Sequence, residues 1–505
     1  MSCKVNFIAG AILAGIVLST SSASYCSSPD DKAGQIDTLM TAFHQQRQFH
    51  GVVLVAENGK VLYNKAFGMA DRENHVPNTF RTPFRIASMS KQFAAAAAMM
   101  LVSDGRLRLD DHVCDYLPDY PKETGQSVTV DHLLTHTSGI IQDNPLKGAF
   151  AENKYRPNTH REMRSYFQDS SLLFIPGQGF QYSNFNYNLL AMIIEAVSGK
   201  PYAEFLQERI FAPLGMSQSG TGDGAAASPP VATGYECAFL KAPAPAQPPH
   251  PSTCQGSGDV YATVGDLLKW DRALYTETLL PAEYRDMMFT AYANDGRYGY
   301  GWQMGGYPIG NGSDSVYAVY HDGGGPGMQS IIIRLPDDKR LIVILSNHNE
   351  PWLHIRLSRP REDIAPQILA ILYGREYELP KTSAAYTLAV ADTLSADYDL
   401  PSEFAKLHTE RPEEFSFDGD EFYCAGLCYM WDKKPQKALP FLQVAVEELG
   451  TDHLPHGWQC RNVYGEALFA HGLIEKGCIQ FEKSLELKPD NPTAVRTLKA
   501  AEPYR

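Results

Sequence analysis

The ten residues from Phe93 to Val102 include no charged, amide or hydroxyl side chain. A helix built from them is apolar on every side, and such a helix settles only at the centre of a substantial core. It is too short to cross a bilayer, so it calls for a large globular domain around it. The run is entered through Phe84-Arg85-Ile86-Ala87-Ser88-Met89-Ser90-Lys91, with Pro83 just upstream where a helix can begin. Ser88 is therefore expected at the first turn of a buried helix. Lys91 lies three residues on, so its amine returns over the Ser88 hydroxyl. Serine is a poor nucleophile until a base takes its proton, and a lysine held in a dry site has a lowered pKa and can do so. The helix N-terminus adds N–H groups aimed at developing negative charge. Ser-x-x-Lys is short, however, and a serine at a helix start is usually only a cap.

The chain of 505 residues has room for two or three domains. Its net charge of −14 argues against a general nucleic-acid surface. Lys4, the apolar run Phe7 to Leu18 and the small residues Ser21 to Ser24 resemble a secretory leader over residues 1–24, which implies a secreted or periplasmic protein. No later stretch is long and apolar enough for a transmembrane helix. Among nine cysteines, Cys237 and Cys254 flank a Pro/Ala-rich excursion and could pair in an exported protein, as could Cys460 and Cys478. No C-x-x-C pattern calls for a metal, and no cofactor is implied. His132 and His136 stand one turn apart. They read either as a metal pair or, lacking a third ligand, as a helix end whose histidine tethers a loop.

In chain order, Val52 to Val55, the turn Asn58-Gly59 and Val61 to Tyr63 read as a hairpin. Val128 to Leu134 reads as a short strand entering a helix. Pro176-Gly177 turns the chain into Tyr182-Ser183-Asn184, and an amphipathic helix follows from Tyr187 to Val197, closed by Gly199. Placed there, the Tyr182 phenol can shuttle a proton and the Asn184 amide can hold a substrate carbonyl or amide. Tyr298-Gly299-Tyr300-Gly301-Trp302 begins another strand. Val316 to Tyr320 leads to His321-Asp322-Gly323-Gly324, and Ser330 to Leu335 and Arg340 to Leu345 alternate as two antiparallel strands. Strands come from both ends of this unit and helices from its middle. The fold class expected is α+β, an antiparallel sheet flanked by helices plus an all-helical region.

Four stretches in this order resemble the serine β-lactamase and penicillin-binding-protein superfamily, in its class C branch with the related D-Ala-D-Ala carboxypeptidases and esterases. They are Ser88-Met89-Ser90-Lys91, His132 to Gly139, Tyr182-Ser183-Asn184 and His321-Asp322-Gly323-Gly324. The resemblance covers roughly residues 35 to 375 and bounds a hydrolase domain at 30–375. It implies that Ser88 is acylated and that Lys91 deprotonates it or polarises Tyr182. Tyr182 would carry the proton to the leaving group and later activate water. Asn184 would orient a small-molecule or peptide substrate, beside Gly323. His321 would stand where many relatives have lysine, and the backbone N–H groups of Ser88 and Gly324 would form the oxyanion hole. Asp322 departs from the pattern, since a Thr or Ser usually stands there to bind a substrate carboxylate. If its carboxylate faces the cleft, carboxylate-bearing substrates are disfavoured and neutral esters, amides or amine-bearing substrates preferred.

After Leu379-Pro380 the composition changes. Residues 376–415 read as a linker, and 416–505 as tetratricopeptide-like helix pairs, carried by Ala425-Gly426, Tyr429, Ala438 and Ala445, then Tyr464-Gly465, Leu468, Gly472 and Phe481. They make either a peptide- or protein-binding groove or a helical appendage packed on the hydrolase. Two functions from different classes follow: a secreted serine hydrolase, or a non-catalytic sensor that keeps the fold and uses the repeats. The intact Ser88, Lys91, Tyr182 and His321 favour the hydrolase.

Overall fold

A computed structural model describes residues 31–142, 148–222, 224, 227–236, 242–293, 295–349, 360–394, 398–454 and 456–504. The leader at residues 1–24, and Cys237 of the pairing with Cys254, lie outside the described residues.

Helix α1 (Lys32–Gln45) opens the described chain, and β1 (Gly51–Glu57) and β2 (Lys60–Phe67) form the expected hairpin. Asn58 and Gly59 both take positive φ, 52° and 70°, as a tight hairpin turn requires. The central helices are α2 (Lys91–Ser103), α3 (Val130–Leu134), α4 (Asn184–Ser198), α5 (Tyr202–Leu206) and α6 (Val264–Ala273). The chain then returns to the sheet as β3 (Gln303–Pro308), β4 (Ser315–Gly325), β5 (Met328–Leu335) and β6 (Arg340–Ser346), followed by α7 (Ala365–Leu372).

The six strands run in the order β3-β4-β5-β6-β1-β2, every neighbouring pair antiparallel. β1 is apolar along nearly its whole length because both faces of the sheet are covered. Val52 and Leu54 point into the core shared with α2 and α4, while Val53 and Val55 point into a second core under α1 and α7. In α2 every residue from Lys91 to Leu101 is buried, which is why its sequence carries no polar face. The α+β architecture is the one expected.

Local details differ. Ser88 sits on a 3-10 turn, Ala87–Ser90, and the α-helix starts at Lys91. Val128 to Leu134 forms no strand. Thr129 makes a single bridge to His112 and then caps α3, its side chain accepting from the His132 N–H. The stretch 376–415, read as a linker, holds helices α8 (Ala384–Leu394) and α9 (Leu400–Glu410). Their Leu388 and Phe404 join one core with Phe422 and Phe441.

Beyond them come α10 (Gly419–Trp431), α11 (Pro435–Gln443), α12 (Gly457–Ala470), α13 (Ile474–Leu487) and α14 (Pro492–Ala501). Small residues meet large ones across each pair: a Cβ at Gly426 would strike Leu442, and one at Gly465 would strike Phe481. Cys460 and Cys478 are not bridged. α12 and α13 are an antiparallel pair in which Gly465 faces Gly477 and Phe481, so Cys460, more than a turn further along α12, does not face Cys478.

Candidate active site

Lys91 organises the site. Its Nζ is buried, donates to Asn184 Oδ1 (2.7 Å) and the Ser257 carbonyl (2.8 Å), and lies 3.2 Å from Ser88 Oγ. The helical return from Lys91 to Ser88 is the one expected from spacing. Nζ also lies 4.8 Å from the Tyr182 ring centre and 5.6 Å from that of Tyr187. Asn184 has committed its carbonyl oxygen to Lys91. What it can offer a substrate is therefore its amide N–H, a donor suited to a carbonyl.

Ser88 is held up by strain and close packing. Ala87, immediately before it, takes φ 46°, a left-handed conformation that a non-glycine residue adopts at a cost of about 1 kcal/mol or more. Strand β4 presses against the same turn. A Cβ at Gly323 would come within 2.2 Å of the Ile86 carbonyl, so only glycine fits. Ser330 on β5 donates to that same carbonyl at 2.8 Å. Above Gly324 there is open space. The turn carrying Ser88 and the Gly323-Gly324 backbone are thus brought side by side.

His136 is the tether, not a metal ligand. It takes φ 60° and is fully buried. Its carbonyl accepts from Gln181 N (2.9 Å), its Nδ1 accepts from Ser183 N (3.2 Å) and Asn186 Nδ2 (3.1 Å), and its ring lies 4.3 Å from the Tyr182 ring. Both chain neighbours of Tyr182 are therefore pinned by one residue. His132 instead accepts at Nδ1 from Thr129 N (3.2 Å). Burial, then the neighbouring Lys91 and His321 side chains, hold His136 well below the usual histidine range, so it is neutral.

That neutral tautomer sets the order of the next bonds. With Nδ1 accepting, the proton of His136 is on Nε2 and donates to Tyr298 Oη at 3.2 Å. Tyr298 Oη also hydrogen-bonds Tyr187 and lies 3.3 Å from His321 Nε2, and His321 Nδ1–H donates to the Asp322 carbonyl at 2.6 Å. The His321 ring lies 6.4 Å from the Tyr182 ring. Tyr298→Phe is expected to lower kcat about tenfold or more with little change in KM, because a buried donor on His136 loses its partner and His321 its orientation. Nitrogen-15 NMR checks it: the ring-nitrogen resonances of both His136 and His321 are expected to shift in the variant.

The condition set for Asp322, a carboxylate facing the cleft, is not met. β4 alternates, and His321 and Gly323 face α2 while Asp322 leaves from the other face, its Oδ1 accepting from Gln303 Nε2 at 3.1 Å. Its Cα partner Ile331 and its same-face neighbour Tyr320 both belong to the core under α1 and α7. The Asp322 charge still reaches the Tyr298 hydroxyl, which burial and then Tyr187, Tyr182 and Asp322 keep far above the usual phenol range.

The residues not foreseen are Ser257 and Tyr298. Ser257 contributes a backbone carbonyl, which no side-chain pattern announces. Tyr298 stood in a run read only as the start of a strand. That run has its own signal, the glycines between its aromatics: a Cβ at Gly301 would strike the Lys91 carbonyl at 2.7 Å, so the segment lies directly on α2.

Comparison with known proteins agrees with this geometry. The family model described as Beta-lactamase matches residues 36–364. Penicillin-binding protein 4* of Bacillus subtilis is 30% identical over 389 residues, 72% of this chain and 81% of that protein. The octameric penicillin-binding protein homologue from Pyrococcus abyssi superposes with a TM-score of 0.59 at 30% identity, over 71% of this chain and 81% of its own. The D-amino acid amidase from Ochrobactrum anthropi does so with a TM-score of 0.55 at 25% identity, over 66% and 99%. With a serine set against a buried lysine on the matching fold, the chain belongs to the beta-lactamase family of serine hydrolases.

Proposed function

We propose that this protein hydrolyses an ester or amide through an acyl-enzyme on Ser88, and that it does so outside the cytoplasm. The observation that carries the chemistry is the buried Lys91 amine at 3.2 Å from Ser88 Oγ, with Asn184 and Ser257 holding it there. The neutral Lys91 amine donates to Asn184 and Ser257 and accepts the Ser88 proton along the 3.2 Å contact as Oγ attacks the acyl carbon. Tyr182 passes a proton to the leaving group and later activates the water that frees the acid. Asn184 donates to the acyl side of the substrate. The backbone N–H groups of Ser88 and Gly324 receive the oxyanion, each such donor supplying about 3 kcal/mol of transition-state stabilisation. His321 adjoins Tyr182, its ring 6.4 Å away. Export is supported by the composition of residues 1–24.

The substrate class we infer is neutral or amine-bearing. A family member that recognises a carboxylate wants a cation or a hydroxyl beside the Tyr–Ser pair. Here a histidine, His321, stands in that place and the next residue is an aspartate whose charge reaches Tyr298. The likeness to an amidase for D-amino acids supports an amine-bearing acyl group. The C-terminal helix pairs keep small residues facing large ones, as tetratricopeptide-like repeats do, which supports reading them as a peptide- or protein-binding appendage.

Intact mass after exposure to an activated short-chain ester, a D-amino acid amide, a penicillin and a D-Ala-D-Ala peptide tests this. An acyl adduct or turnover is expected with the first two and is lost in Ser88→Ala. Asp322→Thr is expected to raise kcat/KM on the two carboxylate-bearing compounds about fivefold, about 1 kcal/mol for removing a charge across a partly solvated site. Efficient turnover of the penicillin by the wild type sinks the substrate class. Absence of any Ser88-dependent adduct with the whole panel favours the non-catalytic sensor.

A further inference from the structure

Three histidines outside the active site stack at the end of the sheet where β4 also ends. His44 lies on α1, His50 stands just before β1, and His348 follows β6. The His44 and His50 rings are 5.1 Å apart, and the His50 and His348 rings are also 5.1 Å apart, both edge to face. His50 is boxed in. A Cβ at Gly68 would come within 2.2 Å of its Nδ1, and that nitrogen is buried with no hydrogen-bond partner. His44 Nδ1–H donates to the Phe49 carbonyl at 3.0 Å.

The permanent charges that act on His50 and His348 are cations, Arg72 and Arg47. Arg47 is turned to the Tyr386 ring on α8, at 5.6 Å, and Arg72 to the Tyr235 ring, at 5.2 Å. The carboxylates beside Arg72 are engaged elsewhere. Glu73 accepts from the Tyr235 hydroxyl, and Asp71 accepts from Asn74 Nδ2 at 2.7 Å. A proton added to His50 or His348 therefore makes a buried cation among cations, and at His50 Nδ1 it meets no acceptor.

The stack holds a segment that reaches the catalytic strand. The His50 carbonyl accepts from Ser346 Oγ (2.8 Å) and Asn347 N (3.3 Å). His348–Asn349 then pairs as a two-residue strand with Tyr235–Glu236. Asn349 Nδ2 donates to the Gly325 carbonyl (3.0 Å), and its Oδ1 accepts from Gln329 Nε2 (2.7 Å). Gly325 directly follows Gly324, the residue assigned to the oxyanion.

We propose that the His44–His50–His348 stack is an acid latch. Neutral, it clamps residues 346–349 against the start of β1 and steadies the Gly325 end of β4; protonated, it opens, and hydrolysis stops until the pH is raised. The latch stands on the stack itself, and only its effect on hydrolysis rests on the acyl-enzyme reading.

Burial, then His348, Arg72, His44 and Arg47, bring His50 down to about 3, and burial, then Arg72 and Arg47, bring His348 down to about 4. Both lie below the free histidine value of about 6.5. The closed latch is thus fully favoured above that value and loses ground as the pH falls toward 4. Opening takes up two protons there, so its equilibrium constant rises by up to about a hundredfold per pH unit.

The experiment is amide hydrogen exchange of the full-length protein at pH 6.5 and pH 5, corrected for the intrinsic pH dependence of exchange. In the wild type, protection of 323–328 and 346–349 is expected to fall about a hundredfold and to return at pH 7, with α2 the more protected throughout. His348→Gln should lose about tenfold, and His50→Gln with His348→Gln should lose almost nothing. Equal losses in the wild type and the double variant overturn the latch. So does exchange of 346–349 no faster than that of α2, which marks global unfolding. Carbon-13 NMR of the wild-type histidine rings needs no variant: His50 and His348 should stay neutral at pH 5, and titration of both near pH 6.5 in the folded protein overturns the proposal. With an ester that the wild type turns over, the ratio of kcat at pH 5 to kcat at pH 7 should be about tenfold or more higher in the double variant. Equal ratios remove the link to hydrolysis. Absence of turnover at pH 7 fails the acyl-enzyme reading and that link with it, while the exchange result still decides the latch.

Discussion

Replacing Lys91 by methionine is expected to lower kcat/KM on an activated ester by about a thousandfold or more. The number follows from what the amine does. A positioned general base contributes about a hundred- to ten-thousandfold, and here one amine also holds Asn184 and orients Ser88. The loss should fall on kcat, because an interaction used in proton transfer is made in the transition state and not in substrate binding. Stability should move little. Methionine fills the same buried volume, and although the Ser257 and Asn184 oxygens lose a donor, the cost of burying a polar amine also disappears. Rate and stability therefore separate, which a merely structural lysine would not allow. Arginine should not rescue, since guanidinium is always charged, cannot act as base and is too large for the space. Denaturation midpoints beside steady-state kinetics check it. A Lys91→Met protein with a tenth of wild-type kcat sinks the role.

The Ser88–Lys91 pair was legible in the sequence because it is local. Three residues on a helical path must return to one face, whether the first turn is α or 3-10. The β1–β2 hairpin was legible for a similar reason, its turn chemistry being carried by two adjacent residues. Tyr182 and Asn184 were placed chiefly by family resemblance. Their dependence on His136 was half visible, since one of the two readings of His132 and His136 was a loop tether. Ser257 could not be seen: a carbonyl 166 positions from Lys91 leaves no mark in a side-chain pattern.

Asp322 is instructive because the information was present. Strand residues alternate, so once His321 and Gly323 are assigned to the cleft, Asp322 is assigned to the other face. Motif matching treats neighbouring letters as neighbours in the site, and a strand separates them. The stretch 376–415 failed in the opposite way. A change of composition reads as a linker, yet Leu400 and Phe404 are four apart and supply one apolar stripe, enough to dock α9 on a core it shares with α10 and α11.

Breaking the Asp271–Arg334 pair is expected to destabilise the hydrolase domain by about 3 kcal/mol or more. Arg334 lies on β5 and Asp271 on α6, and Nε donates to Oδ1 at 2.7 Å with both side chains almost wholly buried. The guanidinium is also flanked by Tyr275, Phe289 and Trp302, at 4.7, 5.0 and 5.8 Å from their ring centres. Burial outweighs the attraction of Arg334 and holds the Asp271 carboxyl above its usual range, so the pair as a whole gains little over an apolar replacement. What it cannot tolerate is the loss of one member. Asp271→Asn keeps the shape and removes the charge, leaving an uncompensated cation inside the domain, and such a change typically costs about 3–5 kcal/mol. The ring faces around Arg334 offset part of this, about 0.5–2 kcal/mol, which places the expectation at the lower end. The double variant Asp271→Asn with Arg334→Met should recover most of the loss, because no charge then remains to be desolvated. Denaturant unfolding followed by tryptophan fluorescence reads the site directly, since Trp302 lies against Arg334 and Trp270 precedes Asp271 in α6. Additive losses in the double variant would show that the two residues act independently, and that α6 is held to the sheet by packing rather than by this pair.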